Sequence, residues 1–478
     1  MKFWPRLRLS TIASDTEHTP VLPAFEKFGE TLSPNLRALR LSMTVSEVLI
    51  SMGVSGNSVV ASALDITETY CKQPVHIDII SNVIMFSQIR GIDKEPLTLI
   101  RPVANRDTNN MVIESVQRLI RDIHQGRYDL EQAEVELDRI LKKPPTYPWW
   151  LIMLGNASIA AGATLLFTNS WQVILTTFFI GLLVDRLLHL LIRRAMPAFF
   201  RQIFAATFIT ITAATVALLG RSGVDFFSGM NPTLIVVGGI IMLVAGLTIV
   251  SAIQDAIDEY YVTAVARIMK VGMLTVGIVI GILVGLYTAR KLGFGIAVSP
   301  DPLTLSALHL QIIGSAAIAA AYAIFTQTHI RAIAWAGLIG AGALIISYFA
   351  RQWEISVIPA SGVAAIFVGL VGVILSRIWR TPSVGLIAAG IIPLVPGLAL
   401  YNGLMQLITY PPGDELFYRG LGTLFTALAT ALAIAAGASF GSMIGRPLHQ
   451  KLTHRRNLLA FAHLWHRPVK HPIIDKTE

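Results

Sequence analysis

Cysteine and charge are both scarce in this chain. Among 478 residues only Cys71 is a cysteine, which excludes an intramolecular disulfide and a cysteine-built metal site. Charged residues make up 14% of the chain, against roughly 25% in a soluble domain. Apolar residues take their place at 54%, and the mean hydropathy is +0.62. That balance excludes an ordinary soluble enzyme and reads as a membrane protein. Residues 1–20 are basic at Lys2, Arg6 and Arg8 but lack an apolar run, so no secretory signal is expected there. The net charge of +9 comes without a basic stripe interleaved with aromatics. Nucleic acid is therefore not an expected partner, and the excess Lys and Arg record topology instead.

The apolar content is uneven. Residues 1–148 are ordinary in polarity, and nearly all the excess lies beyond Tyr147. Ten spans of about 20 apolar residues can be drawn, near 149–168, 171–192, 199–219, 232–250, 265–287, 304–325, 332–350, 356–376, 383–404 and 423–445. Lys and Arg in the connections crowd onto the side of the amino-terminal segment, as at Arg193, Arg194, Arg267, Lys270, Arg331 and Arg377. The opposite side carries only Arg221, Arg290, Lys291, Arg351 and Arg419. The positive-inside rule then puts both termini in the cytoplasm, which fits a multi-pass protein of the cytoplasmic membrane.

One segment repeats. Residues 239–247 read Gly-Ile-Ile-Met-Leu-Val-Ala-Gly-Leu and 390–398 read Gly-Ile-Ile-Pro-Leu-Val-Pro-Gly-Leu, alike at seven of nine positions. They fall in the fourth and ninth spans. Two five-span halves, 149–287 and 288–445, follow from that spacing. An odd span count per half inverts one copy relative to the other, the geometry of alternating access.

Residues 36–148 read as a cytoplasmic α/β domain. Helical spacing covers Arg37–Met52 and Asn57–Cys71, with Gly53 and Gly56 breaking between them. Short β-rich runs follow at Val75–Ile80, Val83–Ile89 and Leu97–Val103. Asp107 or Thr108 is the expected cap of a helix near Met111–His124, Gly126 ends it, and Leu130–Leu141 makes a last helix. His76 and Asp78 share a strand face. Within this domain no Gly-x-Ser-x-Gly elbow, His-Glu-x-x-His or phosphate loop accompanies them, so the expected catalytic set is empty.

Polar residues at membrane depth carry the functional reading. Ser251, Gln254, Asp255, Asp258 and Glu259 closely follow the first copy of the repeat. A carboxylate near hydrocarbon is costly unless it faces a cavity or partner, which makes Asp255, Asp258 and Glu259 candidate proton carriers. Arg267 and Lys270 can pair with them or sense a substrate carboxylate. In the second copy, Pro393 and Pro396-Gly397 interrupt the span and free backbone carbonyls, with Tyr401, Asn402 and Gln406 directly after. His309 is a lone polar group in the sixth span, open to a structural role or a proton relay.

This order of parts resembles the threonine/serine exporter (ThrE) family over roughly residues 36–445. The likeness rests on Ser55-Gly56-Asn57-Ser58-Val59, on Ala245-Gly246-Leu247 through Gln254-Asp255, and on Pro393-Leu394-Val395-Pro396-Gly397 with Tyr401-Asn402-Gly403. It implies a polytopic α-helical membrane protein and a secondary exporter of L-threonine and L-serine driven by the proton gradient. Substrate would be held by Gly246, Ser251, Gln254, Pro396, Gly397, Tyr401 and Asn402, and the proton by Asp255, Asp258, Glu259 or His309. No cofactor and no metal are expected, and a homo-oligomer is compatible with the sequence. The first copy departs from the pattern, reading Val244-Ala245-Gly246 where a Pro-Gly break belongs. Relatives that divide the halves between two chains are linked to dicarboxylate export, so a dicarboxylate exporter is the alternative substrate reading. A membrane-anchored hydrolase is the alternative from another class.

Overall fold

The computed structural model describes residues 33–90, 94–104, 106–143, 147–243, 246–293, 305–379 and 383–465. The sequence leads one to expect a flexible amino-terminal segment over 1–35 and a basic tail over 446–478; residues 1–32 and 466–478 of these lie outside the described residues. The amino-terminal part folds as helices α1 (Pro34–Ser51) and α2 (Gly56–Tyr70), strands β1 (Val75–Ile80), β2 (Val83–Gln88) and β3 (Leu97–Pro102), then helices α3 (Asn110–His124) and α4 (Leu130–Lys142). The strands form one antiparallel sheet in the order β1-β2-β3, with Val75 opposite Gln88 and Val83 opposite Pro102. Leu39, Leu49, Ile84, Phe86, Ile113 and Leu137 close a core drawn from this part alone. Arg37 Nε donates to buried Glu134 at 3.2 Å and ties α1 to α4.

Two local details differ from the sequence reading. The cap of α3 is Asn109, whose Oδ1 accepts from the Met111 and Val112 amides at 3.1 and 3.2 Å. Thr108 instead donates to Met52 O at 3.1 Å, and Asp107 precedes the cap. Gly56 does not break the chain: it is the first residue of α2, and Gly53, at φ +90°, alone makes the turn.

Beyond Tyr147 the chain is helical: α5 (Trp149–Leu165), α6 (Trp171–Arg193), α7 (Ala198–Arg221), α8 (Pro232–Leu243), α9 (Gly246–Ile257), α10 (Tyr261–Lys291), α11 (Leu308–Phe325), α12 (Ile330–Gln352), α13 (Val357–Trp379), α14 (Ser383–Ile391), α15 (Gly397–Thr409) and α16 (Glu415–Trp465). Among the described residues seven of these are long and apolar enough to cross a bilayer, or up to nine if each bent pair counts as one span. This is a multi-pass membrane protein. At 17 residues, α5 reaches only about 26 Å, short of a roughly 30 Å hydrocarbon core.

The first copy of the repeat is not the unbroken span that its missing proline suggests. Pro232–Leu243 and Thr248–Ile257 meet at 41°, and Ser383–Leu394 and Gly397–Leu407 meet at 49°. Gln202 of α7 donates Nε2 to Leu243 O at 3.2 Å, so a side chain satisfies a carbonyl that the bend releases. The charges on α6 are accommodated in the same manner. Asp185 accepts from Asn156 Nδ2 at 3.0 Å and pairs with Arg186 at 2.7 Å, while the Arg186 guanidinium stacks 4.7 Å from the Trp149 ring centroid.

Glycine sets the closest helix contacts. A Cβ on Gly277, Gly281 or Gly285 of α10 would strike α7 at Phe199 O, Ile203 O or the Thr210 side chain. On α16, a Cβ on Gly437, Gly441 or Gly445 would strike Gly362 O, Ile366 O or Val373 of α13. The four-residue spacing puts each triplet on one helix face, the small-residue packing that membrane helices use. Helices α5 and α11 run antiparallel in contact, Gly155 against Ala321 O and Gly162 against Gly314 O.

Hydrogen bonds seat the sheet-bearing part on the helices. Ser81, at φ 58° in the β1–β2 turn, donates its amide to Thr263 Oγ1 of α10 at 2.9 Å. Asn110 is 2% exposed and grips the turn after α11. Its amide donates to Thr326 O at 2.9 Å, and its Nδ2 donates to Thr326 Oγ1 and Thr328 Oγ1 at 3.0 and 2.8 Å.

Candidate functional site

Two cavities enter the helical part from opposite ends. The distal one, about 990 Å³, lies away from the sheet-bearing head and is lined by the Ile392–Ala399 stretch with Asn402, Gln406, Gln202, Gln311 and Thr430. Pro393 and Pro396 cannot donate a backbone hydrogen bond, so the helix stops. Residues 392–394 make a single 3-10 turn, Val395 is extended, and α15 restarts at Gly397. Gln311 is satisfied, donating to Ser306 O at 2.6 Å. The amide oxygens of Gln202 and Gln406 are buried and accept no hydrogen bond. Such an oxygen left bare costs on the order of 1–3 kcal/mol, so in a native protein water, an ion or a ligand completes it.

The head-side cavity, about 1940 Å³, opens between the head and the helices and continues along α13 and α16 as far as Pro359 and Leu432. Ser55, Asn57 and Asn110 line it from the head, and Ser251, Gln254, Asp258, Arg267 and Lys270 from the helices. Behind it Asp255 is 0% exposed and pairs with Arg267 through an Oδ2 to Nη1 distance of 2.8 Å. Neither Asp255 oxygen accepts a well-angled hydrogen bond; its charge is held by the Arg267 guanidinium and by the Gly56 amide at the start of α2.

The sequence candidates therefore divide. Ser251 and Gln254 face the head-side cavity, whereas Pro396, Gly397 and Asn402 face the distal one. Gly246 opens α9, and the Val244-Ala245 pair before it lies outside the described residues. Tyr401 is 3% exposed and packs into an apolar cluster with Ile209, Ile240 and Ile278. Asp258 and Glu259 are exposed in the turn after α9, with Glu259 at φ 69°, and His309 is exposed at the start of α11. His76 is exposed on β1, and Asp78 accepts from the Ile79 amide at 2.7 Å, a local cap. No group of three metal-ligating side chains occurs among the described residues. Gly437-Ala-Ser-Phe-Gly441 spells a nucleophile-elbow pattern, but it sits inside continuous α16 and its glycines are spent on packing. Gln202, Gln311 and Thr430 escaped the sequence reading because a lone polar residue in an apolar helix does not announce which way it faces.

Comparison with known proteins agrees with this architecture. The family model described as "Putative threonine/serine exporter" matches residues 40–289, and that described as "Threonine/Serine exporter, ThrE" matches residues 311–444. A "Probable threonine/serine exporter" of Mycobacterium tuberculosis is 30% identical over 419 residues, covering 86% of this chain and 77% of the relative. A "Threonine/serine exporter" of Corynebacterium glutamicum is 30% identical over 422 residues, covering 86% of this chain and 83% of the relative. No solved structure matches. The matches run from the head through both proline-free and proline-broken spans, and the chain belongs to the threonine/serine exporter family.

Proposed function

We propose that this chain is a secondary exporter of L-threonine and L-serine across the cytoplasmic membrane, coupled to protons and working by alternating access. The observation that carries this reading is the pair of unpaired amide oxygens, Gln202 and Gln406, beside the broken backbone of the distal cavity. A zwitterion with a hydroxyl side chain brings N–H and O–H donors that those oxygens lack. The names of the two relatives point to the same substrates.

The reading uses ten spans, with α5 as the first, in two inverted five-helix repeats. Three features support it: the bends of 41° and 49° at matching places in the repeated nine-mer, the glycine triplets at the same helix pair in each half, and the antiparallel α5–α11 contact. Both termini and the head are cytoplasmic in this scheme, by the excess of Lys and Arg on the head side. Asp255 is the proton carrier, because it is the one carboxylate of the three candidates that is buried.

Cells loaded with a threonine-containing dipeptide should export threonine faster with this protein than without it, and collapsing the proton gradient should remove the difference. A dicarboxylate exporter is the second reading, favoured by Arg351 and Arg419 in the distal lining. Succinate outcompeting threonine in proteoliposomes would decide for it. Replacing Gln406 by Leu separates binding from folding. Its oxygen has no partner in the resting protein, so Gln406→Leu should leave the melting temperature unchanged or raised. Threonine transport should fall about tenfold, the value of one buried hydrogen bond of about 1.4 kcal/mol. Equal loss of stability and transport would remove Gln406 from the binding site.

A further inference from the structure

The two cavities approach each other at a single wall. Among the described residues lining them, only Thr248 of α9 and Tyr322 of α11 belong to both. Tyr322 packs against two apolar clusters at once. One holds Val250 and Ile253 from the first broken span with Leu394 and Val395 from the second. The other holds Ile241, from before the first break, and Ile392, from the 3-10 turn that leads into the second. The ring thus stands where both broken spans cross, steadied by Phe325 at a centroid distance of 6.2 Å.

The backbone beneath that ring is held from the head. Thr326 returns both its amide and its hydroxyl to Tyr322 O, each at 2.9 Å. Thr326 is also the residue that Asn110 grips through backbone and side chain. A contiguous set of hydrogen bonds therefore runs from the head, through the turn after α11, to the residue that divides the cavities.

We propose that Tyr322 is the gate of the transport path, with Thr248 opposite it, and that Asn110 of the head positions the gate. This rests on the reading of the chain as a transporter. An aromatic ring suits the task because it is large, rigid and moved by two torsions, so one rotamer change opens a path that neighbouring aliphatic residues cannot close. Substrate passes from the head-side cavity to the distal cavity when the ring swings out from between the broken spans. The head is then a working part of the gate and not a tethered accessory.

Site-directed thiol labelling tests this. Cys71 is the one native cysteine, and burial pushes its thiol up to about 11, so a Cys71→Ala background is clean. In it, Thr423→Cys reports the distal cavity and Ser251→Cys the head-side cavity. Full-length protein is sealed in vesicles with the head inside, verified by protection of the head from added protease. A charged, membrane-impermeant methanethiosulfonate is then added outside, on ice and without substrate. With Tyr322 present, Thr423→Cys should label and Ser251→Cys should not. With Tyr322→Ala, labelling at Ser251→Cys should rise at least tenfold, while Tyr322→Phe should keep it shut. If Tyr322→Ala fails to reach the membrane, Tyr322→Leu, which shortens the wall but keeps it apolar, replaces it with the same expectation. Labelling at Ser251→Cys that is the same with Tyr, Phe and Ala at position 322 overturns the proposal, as does a Phe variant as open as the Ala variant. Because labelling needs no substrate, failed threonine export would leave this result standing, and failed gating would leave threonine export standing.

Discussion

Asp255→Asn should abolish gradient-driven threonine export, by a hundredfold or more, while exchange of threonine for threonine continues. The carboxylate has no exposure and one charged partner, Arg267 at 2.8 Å. Burying a charge is tolerable only while its partner holds. If, as proposed, Asp255 takes up a proton, Arg267 is left as a cation beside the head-side cavity that it lines, and a substrate carboxylate is the natural replacement. Proton and substrate are then linked through one guanidinium. Asparagine keeps the shape but cannot alternate between charged and neutral, so the linkage is lost. The variant must be separated from simple damage, because an unpaired Arg267 costs roughly 3–5 kcal/mol. The double variant Asp255→Asn/Arg267→Gln removes both charges. It should recover the melting temperature without recovering export. Wild-type export from Asp255→Asn under a proton gradient would take Asp255 out of the mechanism.

The second large effect concerns the fold. Gly441→Ala should lower the melting temperature in detergent sharply and reduce the yield of folded protein. A Cβ there would stand 2.1 Å from Ile366 O and 2.9 Å from Leu370 N, both backbone atoms that cannot rotate away. Helices α13 and α16 would have to part along their length, at the upper end of the roughly 1–3 kcal/mol usual for overpacking, or beyond it. Gly281→Ala, whose Cβ would meet Ile203 O at 2.4 Å, should do the same to the α7–α10 pair. Gly422→Ala on the same α16 is the control: nothing lies within 4 Å, and alanine should be neutral there. An unchanged melting curve for Gly441→Ala would mean that α13 and α16 are not in close contact.

Much of this architecture was legible from residue order. The strands began where the β-branched runs began, and Gly126, at φ 68°, ended α3 where its position suggested. Most apolar stretches became single helices, because hydropathy and helical period act over a few residues at a time. Caps were less certain for the same local reason: Asp107, Thr108 and Asn109 are all good capping types, and only the packing of Thr108 onto Met52 O left Asn109 at the helix start. The break in the second copy of the repeat was written in its prolines. That in the first copy was not, since Gln202, 41 residues away in another helix, is what caps Leu243 O.

By itself, then, the sequence determined a multi-pass membrane chain with a small helix-and-sheet head and a repeated segment followed closely by carboxylates. These follow from composition, period and proline, which need no partner to act. The tertiary structure decided which polar residues are brought together. It turned Tyr401 into the core, left Asp258 and Glu259 in an exposed turn, buried Asp255 against Arg267, and stood Tyr322 between two cavities. A cavity is bounded by side chains from helices far apart in sequence. Which face of each helix turns towards it is set by close packing, here at glycines such as Gly281 and Gly441.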